Sequence, residues 1–95
     1  MHPLKVNRQR LTKLTDLPNI GQAGAADLRL LGLHSPQDLI GRDPLAMYES
    51  LCALTGVRHD PCVADVFMSV TRFMEGQAPQ AWWAFTPERK RLLGR

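Results

Sequence analysis

Three groups of residues in this 95-residue chain have types and spacings suited to chemistry. The first is Leu17-Pro18-Asn19-Ile20-Gly21, which runs into the Ala-rich stretch 22–31 and suits the holding of an anion. Pro18 fixes φ at about −65°, so any preceding helix stops at or before Leu17. Asn19 tolerates a left-handed conformation, and Gly21 lets another backbone approach without a Cβ in the way. The stretch after Gly21 favours helix and puts Ile20, Gly24, Leu28 and Leu31 on one face. Helix heads leave amides unpaired, so the N–H groups of Gly21, Gln22 and Ala23 would receive a phosphate oxygen.

The second group is sulfur and imidazole. Cys62 falls in the first turn of a helix expected over 61–75, where the helix dipole lowers a thiol pKa. Cys52, His59 and Cys62 offer three donors, one fewer than a structural zinc takes. Free cysteine is also among the most buried residue types, so packing is the competing role for both. The third group is Trp82 and Trp83, which follow the break Gly76-Gln77-Ala78-Pro79 and precede Arg89, Lys90 and Arg91. Exposed, they would stack on unpaired bases or anchor a partner protein; folded back, they would cover a small core. Adjacent side chains point in different directions, which leaves room for one ring of each kind.

Other titratable groups are less promising. His2, His34 and His59 form no spacing that a metal or a general base requires, and they read as surface residues. Among Asp27, Asp38, Asp43, Asp60 and Asp65, two are expected as helix caps, Asp43 and Asp60, and Asp38 as the partner of Ser35 in a capping box. A Gly-rich phosphate loop, a nucleophile elbow and a zincin motif are all absent. No catalytic residue, metal or cofactor is therefore assigned.

Charge is unevenly distributed along the chain. Residues 1–14 hold Lys5, Arg8, Arg10 and Lys13 with no acid, whereas 15–85 hold four arginines against eight acids. Residues 86–95 return to basic, with four cations against Glu88, and the whole carries +3. Attraction for a polyanion, which scales with neutralised phosphates, therefore resides at the two ends. They form a basic patch if they lie beside Asn19–Gly21, and are solvated tails if they do not. No apolar run approaches the roughly 18 residues that span a bilayer, and no signal-peptide pattern opens the chain, so a cytoplasmic location with no membrane partner is expected.

The elements that position these groups are marked by proline. Ser35-Pro36, Asp43-Pro44, Asp60-Pro61 and Thr86-Pro87 each place a capping residue before a proline at the first helical position. Gly41, Gly56 and Gly76 supply stop signals. Helices are expected at 6–15, 21–31, 36–40, 44–55, 61–75 and 87–93, with no strand pattern and no repeat. Over 61–75, Val63, Val66, Phe67, Val70, Phe73 and Met74 recur with helical period, so that helix is the expected core element. Leu45, Tyr48, Leu51 and Leu54 of one neighbour, and Leu28 and Leu31 of another, would pack on it.

The turn at 17–21, with Ala25 and Leu28, resembles the helix-hairpin-helix family, whose usual form is Leu-Pro-Gly-(Val/Ile)-Gly, three residues, then Ala. Asn19 replaces the first glycine, and Ala23 stands where many DNA-binding members carry a phosphate-contacting lysine. A longer match resembles a small bacterial family of pathogenicity-locus or mitomycin-resistance proteins. It rests on Asp43-Pro44, Tyr48, Leu51-Cys52, Gly56, Asp60-Pro61-Cys62, Asp65-Val66-Phe67 and Trp82-Trp83, and covers nearly everything from Leu14 to Lys90. The hairpin half is also similar to the C-terminal domain of competence regulators of the TfoX type.

What the resemblance implies is an all-α, compact five- to six-helix bundle containing a helix-hairpin-helix motif and similar to sterile-alpha-motif bundles. The expected organisation is a basic segment over 1–13, the hairpin domain over 14–86 and a basic helix or tail over 87–95. The expected function is sequence-independent, non-catalytic binding of the DNA backbone through Asn19, Ile20, Gly21, Gln22 and Ala23, helped by Lys5, Arg8, Arg10 and Lys13, in DNA repair or drug resistance. The alternative is a protein-interaction adaptor, or a homo-oligomer, that keeps the hairpin only for packing.

Overall fold

Local side-chain chemistry decides where each helix of this chain begins. The computed structural model describes residues 1–95, with α1 at Gln22–Leu30, α2 at Pro44–Thr55, α3 at Cys62–Met74 and α4 at Thr86–Leu93. Short 3-10 turns occupy Pro3–Lys5, Arg8–Arg10, Leu14–Asp16, Pro36–Leu39 and Trp82–Phe85, and there is no strand. The Asp43 carboxylate accepts the N–H of Leu45 at 3.0 Å and of Ala46 at 3.4 Å, so α2 starts where expected. Asp60 accepts the Cys62 N–H at 2.9 Å ahead of α3. Asp38 accepts the N–H groups of His34 and Ser35 and closes the Pro36–Leu39 turn. These amides hold the Asp38 and Asp60 carboxyls below their ordinary range, the His34 and Cys62 N–H groups being the main causes.

The all-helical class stands, but the elements are four α-helices with 3-10 turns rather than five or six helices. The helix expected over 6–15 is replaced by two separate turns, because side chains there outcompete the backbone. Asn7 accepts the Gln9 N–H, and the Asp16 carboxylate takes the amides of Thr12 and Lys13 together with the Thr12 hydroxyl. Thr86 is not a cap either. It has helical dihedrals of −56° and −44°, and its hydroxyl donates to Asp65 at 2.6 Å.

α3 is the centre of the molecule. Ala64, Phe67, Val70 and Phe73 form one core cluster with Met47, Tyr48 and Leu51 of α2 and Leu28 of α1, and Met68 and Thr71 are buried on the rest of the α3 surface. Leu54, expected in this core, is 64% exposed, because Leu51 and Tyr48 already fill the inward face of α2. Leu14, Leu17 and Ile20 complete the core from the turn side.

Both basic ends are folded onto this body. The Arg8 guanidinium donates to the carbonyls of Phe73 and Gln77, each at 2.7 Å, and lies 3.9 Å above the Phe73 ring. It thereby ties the N-terminal segment to the last turn of α3 and to the chain just beyond it, adding to the Gly76 N–H that the Phe73 carbonyl already accepts. Near the start of α3, buried Arg89 donates to buried Asp65 at 2.8 Å, and in its last turn Arg72 pairs with Glu88 at 2.7 Å. Arg89 also donates to the Arg95 carbonyl, and Arg95 in turn donates to the Tyr48 hydroxyl at 3.3 Å. The radius of gyration, 12.2 Å, matches the roughly 12–13 Å of a packed domain this long, so neither end trails into solvent.

Candidate functional site at the Asn19 turn

Asn19 adopts φ of 65°, the left-handed conformation its side chain tolerates, and is the only non-glycine residue that does so. Its amide nitrogen Nδ2 donates to Ser69 Oγ at 3.0 Å and to the Gln80 carbonyl at 2.8 Å. The turn is thus fixed both to α3 and to the segment that carries the tryptophans. Leu17, Pro18 and Ile20 are buried beneath it. On its other side the Met1 amino group donates to the carbonyls of Leu17 and Ile20, at 2.9 and 2.7 Å. Partial burial lowers that amine's pKa.

The head of α1 is open. Gly21, Gln22 and Ala23 are exposed, and no side chain caps the helix. A Cβ built on Gly21 would meet nothing within 4 Å, and its φ of −100° suits any residue. The close approach expected at Gly21 therefore occurs at Gly24, where a Cβ would sit 3.3 Å from Ile20 Cδ1. Gly21 instead leaves the path to the following amides unobstructed.

Beside these amides lies a groove of about 530 Å³ whose lining includes Leu4, Asn19, Gly21, Pro79, Trp82 and Trp83 and contains no carboxylate. Trp82 is partly buried and Trp83 is 65% exposed, with ring centroids 5.5 Å apart and planes at 83°. One ring of each kind is what adjacent positions at 82 and 83 allow. Phe85, two residues on, is the ring that enters the core. Sequence reasoning placed the tryptophans and the turn separately; their meeting depends on Asn19 and Gln80, 61 residues apart.

The cations divide between two tasks. Lys5 and Arg10 line a polar depression that shares Met1 with the groove, and Lys13 is exposed. Arg8 is committed to α3, Arg89 is buried with Asp65, and Arg95 lies against Tyr48. A second groove, of about 550 Å³, lies between the end of α1 and α2 and is lined by Leu31, Leu33, Met47, Ala53 and Leu54 among others.

The cysteines behave differently from the expectation at Cys62. Its thiol pKa is pushed up, first by burial and then by the Asp60 carboxylate, so these override the helix dipole. Cys52 is partly buried and accepts the His59 N–H at 3.5 Å, and both cysteines are free thiols. His59 is half-buried rather than at the surface, with Nε2 2.9 Å from Thr55 Oγ1. Cys52, His59 and Cys62 do not come together as a metal-holding group. No helix is long and apolar enough to cross a membrane.

Comparison with known proteins adds the family. Residues 7–91 match the model of the Cdd1 family, described as a pathogenicity locus. A mitomycin resistance protein, McrB, from Streptomyces lavendulae is 42% identical over 80 residues, which cover 84% of this chain and 76% of that protein. No solved structure matches the chain. With its matched region running through the Asn19 turn, the whole of α3 and both tryptophans, the chain belongs to the pathogenicity-locus family.

Proposed function

We propose that this protein is a non-catalytic module that grips the DNA backbone without reading sequence. The observation that carries the proposal is the uncapped head of α1, reached past a glycine that the fold itself does not require. Amides of this kind receive a phosphate oxygen, and an anion at such an exposed helix end gains about 0.3–1 kcal/mol. Lys5, Arg10 and Lys13 add counterion release, and Arg8 acts indirectly by fixing the segment that carries them. The resistance named for the relative fits the same reading, in which a protein held on DNA serves repair or drug resistance through that contact.

Binding is expected to be weak and steeply salt-dependent. Three cations predict a slope of about −3 in log affinity against log salt. Titration of a short fluorescein-labelled duplex by anisotropy measures it; no binding at low ionic strength, or binding indifferent to salt, overturns the proposal. Ala23→Lys places a cation beside the amides and is expected to strengthen binding severalfold while steepening the slope by about one.

The adaptor reading is favoured by one observation, the second groove with Leu54 exposed at its edge. It predicts self-association that Leu54→Lys abolishes, measured by light scattering across a concentration series. A chain that stays monomeric throughout removes the homo-oligomeric form of that reading.

A further inference from the structure

We propose that the groove beside the Asn19 turn takes an unpaired nucleobase, so that the preferred ligand is single-stranded rather than duplex DNA. The inference rests on the backbone-gripping reading above and deepens it. Trp83 presents its ring to solvent while Phe85 fills the core and Trp82 packs edge-on against it, so core packing does not account for the exposed ring. The volume, about 530 Å³, lies within the roughly 300–1,000 Å³ of sites that hold small ligands. A flat aromatic surface of this kind accepts the π-face of any base, which makes stacking tolerant of sequence.

Charge complementarity selects the occupant. The lining holds no acid, its wall includes Gly21 at the positive end of α1, and the adjoining depression is lined by Lys5 and Arg10 against the one carboxylate of Asp16, which is itself bonded to the Thr12 and Lys13 amides. A nucleotide carries both features required, a planar apolar face for Trp83 and an anion for the wall. Paired bases in a duplex are stacked on one another and do not offer that face. Asn19 fixes the spacing, since the same Nδ2 holds Ser69 below and Gln80 on the tryptophan-bearing segment. The phosphate end and the stacking end of the groove are thus parts of one rigid arrangement.

The test compares an oligothymidylate, a duplex of equal length and an oligomer of abasic sites, each titrated into the full chain at one ionic strength. The oligothymidylate is expected to bind tightest and to quench tryptophan emission. Trp83→Ala is expected to weaken oligothymidylate binding about tenfold and duplex binding less than twofold, with Trp83→Phe restoring most of the loss. Trp83 is exposed, so the variant keeps its fold, which the circular dichroism spectrum checks. Oligothymidylate binding unchanged by Trp83→Ala, or matched by the abasic oligomer, overturns the inference while duplex binding leaves the backbone reading standing. Absence of binding to all three overturns both.

Discussion

Replacing Asp65 with alanine is expected to destabilise the protein by about 3–5 kcal/mol, the cost of leaving a buried charge without its partner. Arg89 and Asp65 retain 6% and 0% of their side-chain exposure, and Asp65 is the carboxylate side chain to which the guanidinium is bonded. The same change strands the Thr86 hydroxyl, which donates to the second carboxylate oxygen at 2.6 Å. α4 would therefore be held on α3 by the Arg72–Glu88 pair without the two polar contacts that Asp65 supplies. Urea denaturation followed by circular dichroism measures the effect. Pairing Asp65→Leu with Arg89→Met is expected to recover most of the lost stability, because apolar side chains of similar size need no charge partner. Full stability in Asp65→Ala alone would mean that the pair is not closed in solution.

Phe73→Ala is expected to cost a similar amount, about 3–5 kcal/mol, through lost burial and the cavity left behind. Phe73 is 1% exposed near the end of α3, and its ring also lies 3.9 Å beneath the Arg8 guanidinium. The aromatic contribution is separable from the volume. Phe73→Leu keeps most of the packing and removes the ring face, so Arg8→Ala should cost less in that background than in the native chain, by about 0.5–2 kcal/mol. A double-mutant cycle in urea measures this coupling. Equal costs in both backgrounds would show that Arg8 acts only through the Phe73 and Gln77 carbonyls, which both backgrounds retain.

These two expectations concern interactions that lie beyond the reach of sequence pattern. The caps at Asp43 and Asp60 are legible because a carboxylate and the amides it serves lie within three residues of each other. The inward face of α3 is legible because helical period alone aligns Phe67, Val70 and Phe73. Asn19 is legible for a related reason, since its left-handed backbone answers to a property of the residue itself. Asp65 and Arg89 stand 24 residues apart, and Arg8 reaches 65 and 69 residues to its carbonyls. Nothing in either neighbourhood announces such a partner.

The candidate site divides along the same line. Its turn and its tryptophans are each visible as short motifs, but the groove they share follows from tertiary packing. Over 6–15, helix propensity yields to a few local bonds from Asn7 and Asp16, so two 3-10 turns stand where a helix is expected. At Cys62 desolvation and a neighbouring carboxylate outweigh the helix dipole, which agrees with the packing role rather than the reactive one. The close approach expected at Gly21 falls instead at Gly24, on the helix face that Gly24 shares with Ile20.

The asparagine that bridges Ser69 and Gln80 has a consequence for how the molecule meets anything it holds. Two banks pinned to one post keep their separation before a visitor arrives, so little conformational freedom is left to surrender upon arrival. Differences among visitors would then register in how quickly they depart rather than in how the host rearranges to admit them.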